Sequence, residues 1–191
     1  MIRPEDVEGF LSPLPIRVIP GIGRKTEAFL QARNFRTVRD LSVVPVDELV
    51  AWFGKWGRRL FESAHGIDDS EVCNDWVRKS VGEQETFQED TRDAALVSDR
   101  LNGMAERVVA KLAGNNFSGF HTITLTVRFS GFETKNRSRG IKGGMTLANK
   151  AEAVEFVKEQ ARSLLSPFFD ARENPRGKAI RLIGLRLEKL F

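Results

Sequence analysis

The sequence contains few of the residues that build metal sites and covalent cross-links. Among its 191 residues there is one cysteine, Cys73, and there are two histidines, His65 and His121. A single cysteine excludes a disulfide within the chain and a zinc site made of cysteines. The two histidines lie far apart in sequence, so we interpret each as a packing or surface residue. We therefore expect no metal site and no cofactor among these residues.

Long apolar runs are absent too. No stretch approaches the roughly 20 consecutive apolar residues that span a membrane. The chain does not open with the charged and then apolar pattern of a signal peptide. Hydrophobic residues still make up 41% of the sequence, which is enough to bury a core. We expect a soluble, cytoplasmic, monomeric protein that makes no contact with a membrane.

The positive charge is distributed unevenly along the chain. The net charge is +4, with −2 in residues 1–75 and +6 in residues 76–191. The interval 128–150 contains one acidic residue, Glu133. Its basic residues are Arg128, Lys135, Arg137, Arg139, Lys142 and Lys150. A solvated surface is one explanation of such a stretch, and a polyanionic partner is the other.

In the first third of the chain, residues typical of helix starts and ends predict a small all-helical domain. Pro4, at a first-turn position, opens the first helix, and Gly66 ends the last. The predicted helices cover about 4–11 and 25–32, begin near 37 and near 45, and finish with about 58–65. Residues 67–78 are polar and show no periodicity, so they predict a linker. The domain boundaries that follow are 1–66, 67–78 and 79–191.

The remaining residues predict an α+β domain with the order β-α-β-β-α-β. Strands are expected at about 80–88, 122–129, 137–146 and 179–190. Amphipathic helices are expected around 101–112 and 154–165. Alternation in 122–129 puts the threonines and Arg128 on one side and the apolar residues on the other. The prediction is a four-stranded sheet that two helices cover on one face, with an exposed second face.

The strongest local motif is Ile19-Pro20-Gly21-Ile22-Gly23-Arg24-Lys25-Thr26, which is typical of a helix-hairpin-helix. Two glycines one residue apart let the backbone turn sharply. The helix that follows has free N–H groups at its N-terminus, where an anion such as a phosphate is favoured. Arg24 and Lys25 add positive charge there. An ordinary turn between two helices is the alternative.

A second group of polar and basic residues is expected on the exposed face of the sheet. These are residue types that contact phosphates: Thr124, Thr126, Arg128, Lys135, Arg137, Ser138 and Arg139, with Lys79 and Ser80 leading into the sheet. Each taken alone fits plain surface equally well. Together with the hairpin they favour nucleic-acid binding.

The two halves, in this order, resemble the thumb and little-finger domains of Y-family (DinB-type, lesion-bypass) DNA polymerases. The thumb resemblance covers 15–69 and includes the hairpin, Asn34–Leu41 and Phe53–Gly57. The little-finger resemblance includes Val77–Glu83, the strand–turn–strand with Thr134–Gly140 and the end at Ile180–Leu187. Nearly the whole chain is covered.

The resemblance implies sequence-independent binding of primer–template DNA. The implied contacts are Gly21, Ile22, Gly23, Arg24, Lys25, Lys79, Ser80, Thr126, Arg128, Thr134, Lys135, Arg137, Ser138 and Arg139. Phosphoryl transfer in that family uses carboxylates that hold Mg²⁺ in the palm, upstream of the thumb, and these residues contain no counterpart. We expect no catalytic residue and no activity from this chain alone. A sliding clamp is a further expected partner, although Leu187–Phe191 is interpreted as the end of a strand.

Two other functions compete with this interpretation. A helix-hairpin-helix DNA glycosylase shares the hairpin, but the helical pattern fails after residue 78, and with the hairpin so near residue 1 we expect no helical lobe before it. A stand-alone DNA-binding or scaffold protein descended from such a polymerase fits the sequence as well. A palm coding region directly upstream would distinguish a piece of a polymerase from that alternative.

Overall fold

The computed structural model describes residues 2–74 and 77–191. It divides into two compact units, Met1–Asn74 and Asp75–Phe191. Asp75 and Trp76, which belong to the predicted linker, lie outside the described residues, and so does Met1. The linker assignment 67–78 stays a prediction.

The first unit is helical, as predicted. Its α-helices are α1 (Val7–Leu11), α2 (Arg24–Gln31), α3 (Val38–Ser42), α4 (Val46–Phe53) and α5 (Lys55–Ala64). Short 3₁₀ helices, Pro4–Asp6 and Ile16–Val18, precede α1 and α2. One apolar side of each longer helix meets a common core, in which Leu30, Leu41 and Leu49 are fully buried. The predicted first helix over 4–11 is therefore a 3₁₀ turn followed by a short α-helix.

The second unit has the predicted order of elements. They are β1 (Ser80–Thr91), α6 (Ala94–Gly114), β2 (Gly119–Phe129), β3 (Thr134–Thr146), α7 (Lys150–Leu165) and β4 (Ile180–Leu190). A 3₁₀ helix, Ser166–Phe169, follows α7. The strands form one antiparallel sheet in the order β1-β4-β2-β3. Strands β4 and β2 are therefore central, and β1 and β3 are the edge strands of the sheet.

The core of this unit lies between the sheet and the two helices. Leu101, Met104 and Val108 of α6 share it with Ile123 and Leu125 of β2. Every second residue of the central strands points toward the helices because side chains alternate along a strand. Apolar residues occupy these positions on β2 and β4, as the sequence pattern predicted. Within residues 77–191 no helix covers the opposite face, and the α+β prediction of a four-stranded sheet with two helices on one side is confirmed.

The C-terminal residues belong to the sheet, as interpreted from the sequence. Strand β4 continues to Leu190, and the Phe191 carbonyl oxygen accepts hydrogen bonds from the N–H groups of Ser118 and Gly119 at 2.7 and 3.0 Å. The Phe191 ring packs on His121 with 4.8 Å between ring centroids. His121 therefore has the packing role that was expected of it.

Candidate nucleic-acid interface

The hairpin in the first unit depends on Gly21 for its shape. Gly21 has φ +91°, a conformation that side-chain-bearing residues rarely adopt. A Cβ atom at this position would lie 2.8 Å from Cζ2 of Trp56, so the indole packs directly against the turn. Gly23, two residues on, has an ordinary φ of −88° and open space around it. Only the first of the two glycines is required by backbone conformation and packing.

The hairpin leaves backbone donors free at the start of α2. Gly23 is the N-cap residue and offers no side-chain acceptor. Across residues 2–74 and 77–191, the N–H groups of Arg24, Lys25 and Thr26 find no acceptor, and the first helical bond runs from Glu27 to Gly23 at 2.9 Å. Both basic side chains are exposed beside these donors. The arrangement is suited to an anion, because free N–H groups and the helix dipole both favour negative charge there.

A second helix start of the same kind lies next to the hairpin. Gly54, with φ +61°, is the N-cap of α5 and lacks a side-chain cap. Trp56, near the start of α5, is the residue whose ring packs on Gly21, which makes the two helix starts neighbours. Lys55 and Arg58 are exposed there. This stretch entered the sequence analysis only through the resemblance at Phe53–Gly57, without a predicted site residue; the Gly-Lys-Trp-Gly string between two helical patterns is the signal that could have located this site.

Close packing of α4 on α5 fixes that second start. A Cβ atom at Gly57 would lie 2.0 Å from the carbonyl oxygen of Leu49, so the two backbones touch where only a glycine fits. Trp56 also stacks edge-on against Phe53 with 5.5 Å between centroids. The helix starts are consequently held by this packing, in which Gly57 is buried and Trp56 is half-buried, and not by the exposed cations.

Three basic residues of β3 lie on the helix-covered side of the sheet, which corrects the sequence expectation. Lys135, Arg137 and Arg139 pair in register with Val127, Leu125 and Ile123, and these three partners are core residues. Residues of like parity share a face, and Ser138 has the opposite parity. Placing all four on one exposed face was therefore wrong, and the parity rule alone could have revealed it.

An edge strand explains how three cations can lie on the covered side. Their side chains extend sideways past the sheet: Arg137 Nη1 donates to Glu173 Oε1 at 2.8 Å, and Lys135 Nζ donates to the Glu173 carbonyl oxygen at 2.6 Å. Arg139 donates to Gln160 and to Ser163, both on α7, the latter at 3.1 Å. On a central strand such charges would be buried, whereas at the edge their heads reach polar partners and solvent.

The open face is polar and nearly neutral. Thr124 Oγ1 and Ser138 Oγ are 2.8 Å apart, Thr126 donates to Asn136 at 2.7 Å, and Arg128 Nε donates to Thr134 at 2.9 Å. These cross-strand bonds connect β2 to β3. The predicted contacts Thr126, Arg128, Thr134 and Ser138 lie on this face, together with Arg186 of β4, which the sequence analysis did not select as a site residue.

Two threonines predicted to be exposed on this face are buried. Thr124 has 3% of its surface exposed and Thr122 has 9%. Thr124 lies in register between Ser138 and Arg186, whose side chains flank it. Long and polar neighbours on both adjacent strands can cover a short side chain even on a face that no helix shields. Ser80 is the first residue of β1, and Lys79 directly precedes it; the Lys79 carbonyl oxygen accepts from the Lys189 N–H at 3.2 Å.

The two edges of the sheet carry opposite charge. Strand β3 contains four basic and no acidic residues, whereas β1 contains four acidic and no basic residues. On β1, Glu83 accepts from Arg107 at 2.8 Å and from Lys111 at 3.2 Å. Burial raises the pKa of Glu83, but the hydrogen bonds from these two cations outweigh it, and the pKa is lowered overall. Strand β3 therefore has the excess of positive charge that attracts a polyanion, whereas Glu83 and Glu85 of β1 are paired with Arg100, Arg107 and Lys111 of α6.

The described residues do not form a metal centre. Within 2–74 and 77–191, no three His, Cys, Asp or Glu side chains gather in a way that could hold an ion. The Mg²⁺ expected for the catalytic domain of related polymerases therefore has no fitting ligand set among these residues. In the same part of the chain, no helix is long and apolar enough to cross a membrane.

Comparisons with known proteins agree for both units. Residues 78–190 match the family profile described as "impB/mucB/samB family C-terminal domain", and residues 17–68 match "DNA polymerase-iota, thumb domain". DNA polymerase IV of Methanoculleus marisnigri is 37% identical over 190 residues, which cover 100% of this chain and 49% of that protein. DNA polymerase IV 2 of Methanosarcina mazei is 40% identical over 190 residues, covering 100% of this chain and 48% of the relative. The chain thus spans about half the length of the curated relatives it matches.

A solved structure also resembles the whole chain. The Y-family DNA polymerase chimera Dbh-Dpo4(243-245)-Dbh superimposes with a TM-score of 0.72 at 25% identity. The match covers 100% of this chain and 51% of the chimera. The helical unit and the sheet unit therefore occur in the same order in a known polymerase.

Proposed function

Since this chain belongs to the impB/mucB/samB family of Y-family DNA polymerases and carries their thumb and little-finger domains, we propose that it grips primer–template DNA without reading its sequence. The grip is made to the sugar–phosphate backbone, which positions a duplex but carries no base information. No residue of the chain is assigned a catalytic role.

The free donors at the start of α2 carry this proposal. Three backbone N–H groups and the exposed side chains of Arg24 and Lys25 converge at one helix N-terminus. A phosphate bound there interacts with main-chain donors, whose position does not depend on the base sequence of the duplex. The α5 start, with Lys55 and Arg58, extends the same surface.

In the second unit we assign the DNA backbone to the β3 edge. An edge strand has backbone N–H groups without a strand partner, and sheet edges can bind anions. Side chains from both faces can reach a ligand at an edge, so Lys135, Arg137 and Arg139 are available there together with Thr134 and Ser138. Thr126 and Arg128, on the neighbouring strand, stay predicted contacts of smaller weight.

The function of the whole protein follows from the relatives as a second proposal. The curated relatives are named DNA polymerase IV and are about twice as long as this chain. We propose that these residues serve a translesion DNA polymerase by holding the primer terminus over a catalytic domain, which is a positioning role. The sliding-clamp contact, the monomeric state and the cytoplasmic location stay predictions.

A fluorescence-anisotropy titration tests the proposed DNA binding. The chain is titrated with a primer–template duplex, an unrelated duplex and single-stranded DNA at several salt concentrations. We expect equal affinity for the two duplexes, weaker binding of the single strand, and a log–log salt slope of about −0.9 per neutralised phosphate. Absence of duplex binding at low salt would contradict the proposed DNA binding by this chain. A marked preference between the two duplexes would contradict sequence independence.

A further inference from the structure

Two cations of β3 share a single carboxylate. Arg137 Nη1 lies 2.8 Å from Glu173 Oε1, and Lys135 Nζ lies 3.4 Å from Glu173 Oε2. Each carboxylate oxygen therefore faces one cation, which is the arrangement that the two non-bridging oxygens of a phosphodiester would adopt between them. The Glu173 side chain is 24% exposed, so the carboxylate is held between the cations and does not extend into solvent.

The segment that carries Glu173 is fixed at both ends. The Glu173 N–H donates to the Pro167 carbonyl oxygen at 3.1 Å. The Asn174 side chain bonds to both the N–H and the carbonyl oxygen of Lys178 at 2.8 Å, which closes the turn. Lys178 Nζ then donates to Glu133 on the β2–β3 turn at 2.6 Å. Ordered contacts thus present the carboxylate to the β3 cations.

We propose that Lys135 and Arg137 form a phosphate-binding site, and that Glu173 occupies it until a DNA phosphate displaces the carboxylate. The inference rests on the proposed DNA-binding function and deepens it by naming where one phosphate binds and what competes for the site. Ion pairs between partly exposed groups are weak, so the carboxylate can be displaced. Its presence lowers the affinity of this edge and lets the second unit release DNA readily.

The opposite edge of the same sheet provides a matched control. Glu83 likewise bridges two cations, with Arg107 Nε at 2.8 Å and Lys111 Nζ at 3.2 Å, and its side chain is 22% exposed. Changing either glutamate to glutamine removes one negative charge from a similar environment in the same unit. Only Glu173 lies between cations assigned to DNA.

The experiment compares E173Q, E83Q, R137A and the double variant R137A/E173Q in the 191-residue chain. Each is titrated with the primer–template duplex by fluorescence anisotropy at several salt concentrations, after circular dichroism has established that it melts cooperatively. We expect E173Q to tighten binding about three- to tenfold, the range that two weak ion pairs allow. E83Q should change the affinity less than twofold, and E173Q should give a smaller gain when Arg137 is absent.

Three other results would overturn the inference, and they are distinguishable. Equal gains in E173Q and E83Q would mean that net charge alone is responsible. Weaker binding by E173Q would mean that Glu173 positions the two cations for DNA and does not compete with it. If the wild-type chain binds the duplex and R137A binds it equally well, the β3 edge is not the DNA site. If the wild-type chain does not bind the duplex at all, the proposed function itself is refuted.

Discussion

The two units offer anions different kinds of donor. The first unit presents backbone N–H groups at helix starts, which are held by the packing of Trp56 on Gly21 and of α5 on α4. The second presents side-chain cations on an edge strand, and Lys135 and Arg137 already have a carboxylate partner. Backbone donors need no rearrangement to bind a phosphate, whereas the side chains must exchange partners. We therefore expect the first unit to supply the rigid part of the grip and the second the adjustable part.

The largest expected effect comes from disturbing the rigid part through Gly21→Ala. The new Cβ atom meets Trp56, and φ +91° is strained for alanine, so the first unit should lose about 1–3 kcal/mol of stability. Distortion of the hairpin should weaken duplex binding roughly tenfold, about the value of one charge-assisted hydrogen bond. Thermal melting and anisotropy measure the two effects.

Gly23→Ala is the matched control for that substitution. Gly23 has an ordinary φ of −88° and no atom within 4 Å of a Cβ position, so the melting temperature should hardly change. Equal destabilisation by the two variants would show that Trp56 packing does not fix the hairpin.

We expect a smaller loss of duplex affinity from R137A/R139A, which removes two of the side-chain cations on β3. Binding should weaken about fivefold for all duplex sequences alike, and the log–log salt slope should become less negative by about 1 for each DNA phosphate that the variant no longer neutralises. The measurement is the salt-dependent titration. An unchanged affinity and slope would leave the β3 edge as ordinary surface.

Substituting Arg128 and Arg186, which lie on the open face of the sheet, tests whether DNA binds along the β3 edge or across that face. We expect R128A/R186A to weaken binding at most about twofold, because these two arginines lie on the open face, on β2 and β4, and not on the β3 edge to which the DNA backbone is assigned. The same titration measures it beside R137A/R139A. A greater loss of affinity in R128A/R186A would place the DNA across the open face instead of along the edge.

The smallest expected effect on DNA binding comes from Asp40, which caps α3 together with Thr37. Hydrogen bonds from the N–H groups of Arg36 and Thr37 lower the pKa of Asp40. Its stabilising contribution is therefore complete above the pKa of the unfolded chain and is lost as the pH falls through the lower folded value. Asp40→Asn should cost the first unit about 0.3–1 kcal/mol at neutral pH, the value of a negative charge near a helix N-terminus, leave duplex affinity unchanged, and reduce the acid sensitivity of its melting temperature.

Wild-type and D40N melting curves at neutral pH and in acid measure this difference. If D40N also weakened DNA binding, the stability of α3 would be coupled to the hairpin. The expectation that α3 stability does not affect duplex binding by the first unit would then be wrong.

Local patterns were sufficient for much of the fold. The Pro-Gly-Ile-Gly string located the hairpin because few other sequences allow so sharp a turn into a helix. The alternation in 122–129 located β2, since only a strand repeats every two residues. The neighbouring start of α5 was missed because its importance comes from Trp56 packing on a residue far away in sequence.

The sequence by itself determined the order of elements, the hairpin turn at Gly21 and the concentration of positive charge in 128–150. It contained the parity that separates Arg137 and Arg139 from Ser138, although the covered face follows only from pairing β3 in register with the apolar residues of β2. The tertiary structure alone decided that β1 and β3 are edges, that they carry opposite charge, and that Glu173 lies between Lys135 and Arg137. Those facts depend on contacts between residues far apart in the chain, such as the 38 positions separating Lys135 from Glu173, and no local pattern specifies such contacts.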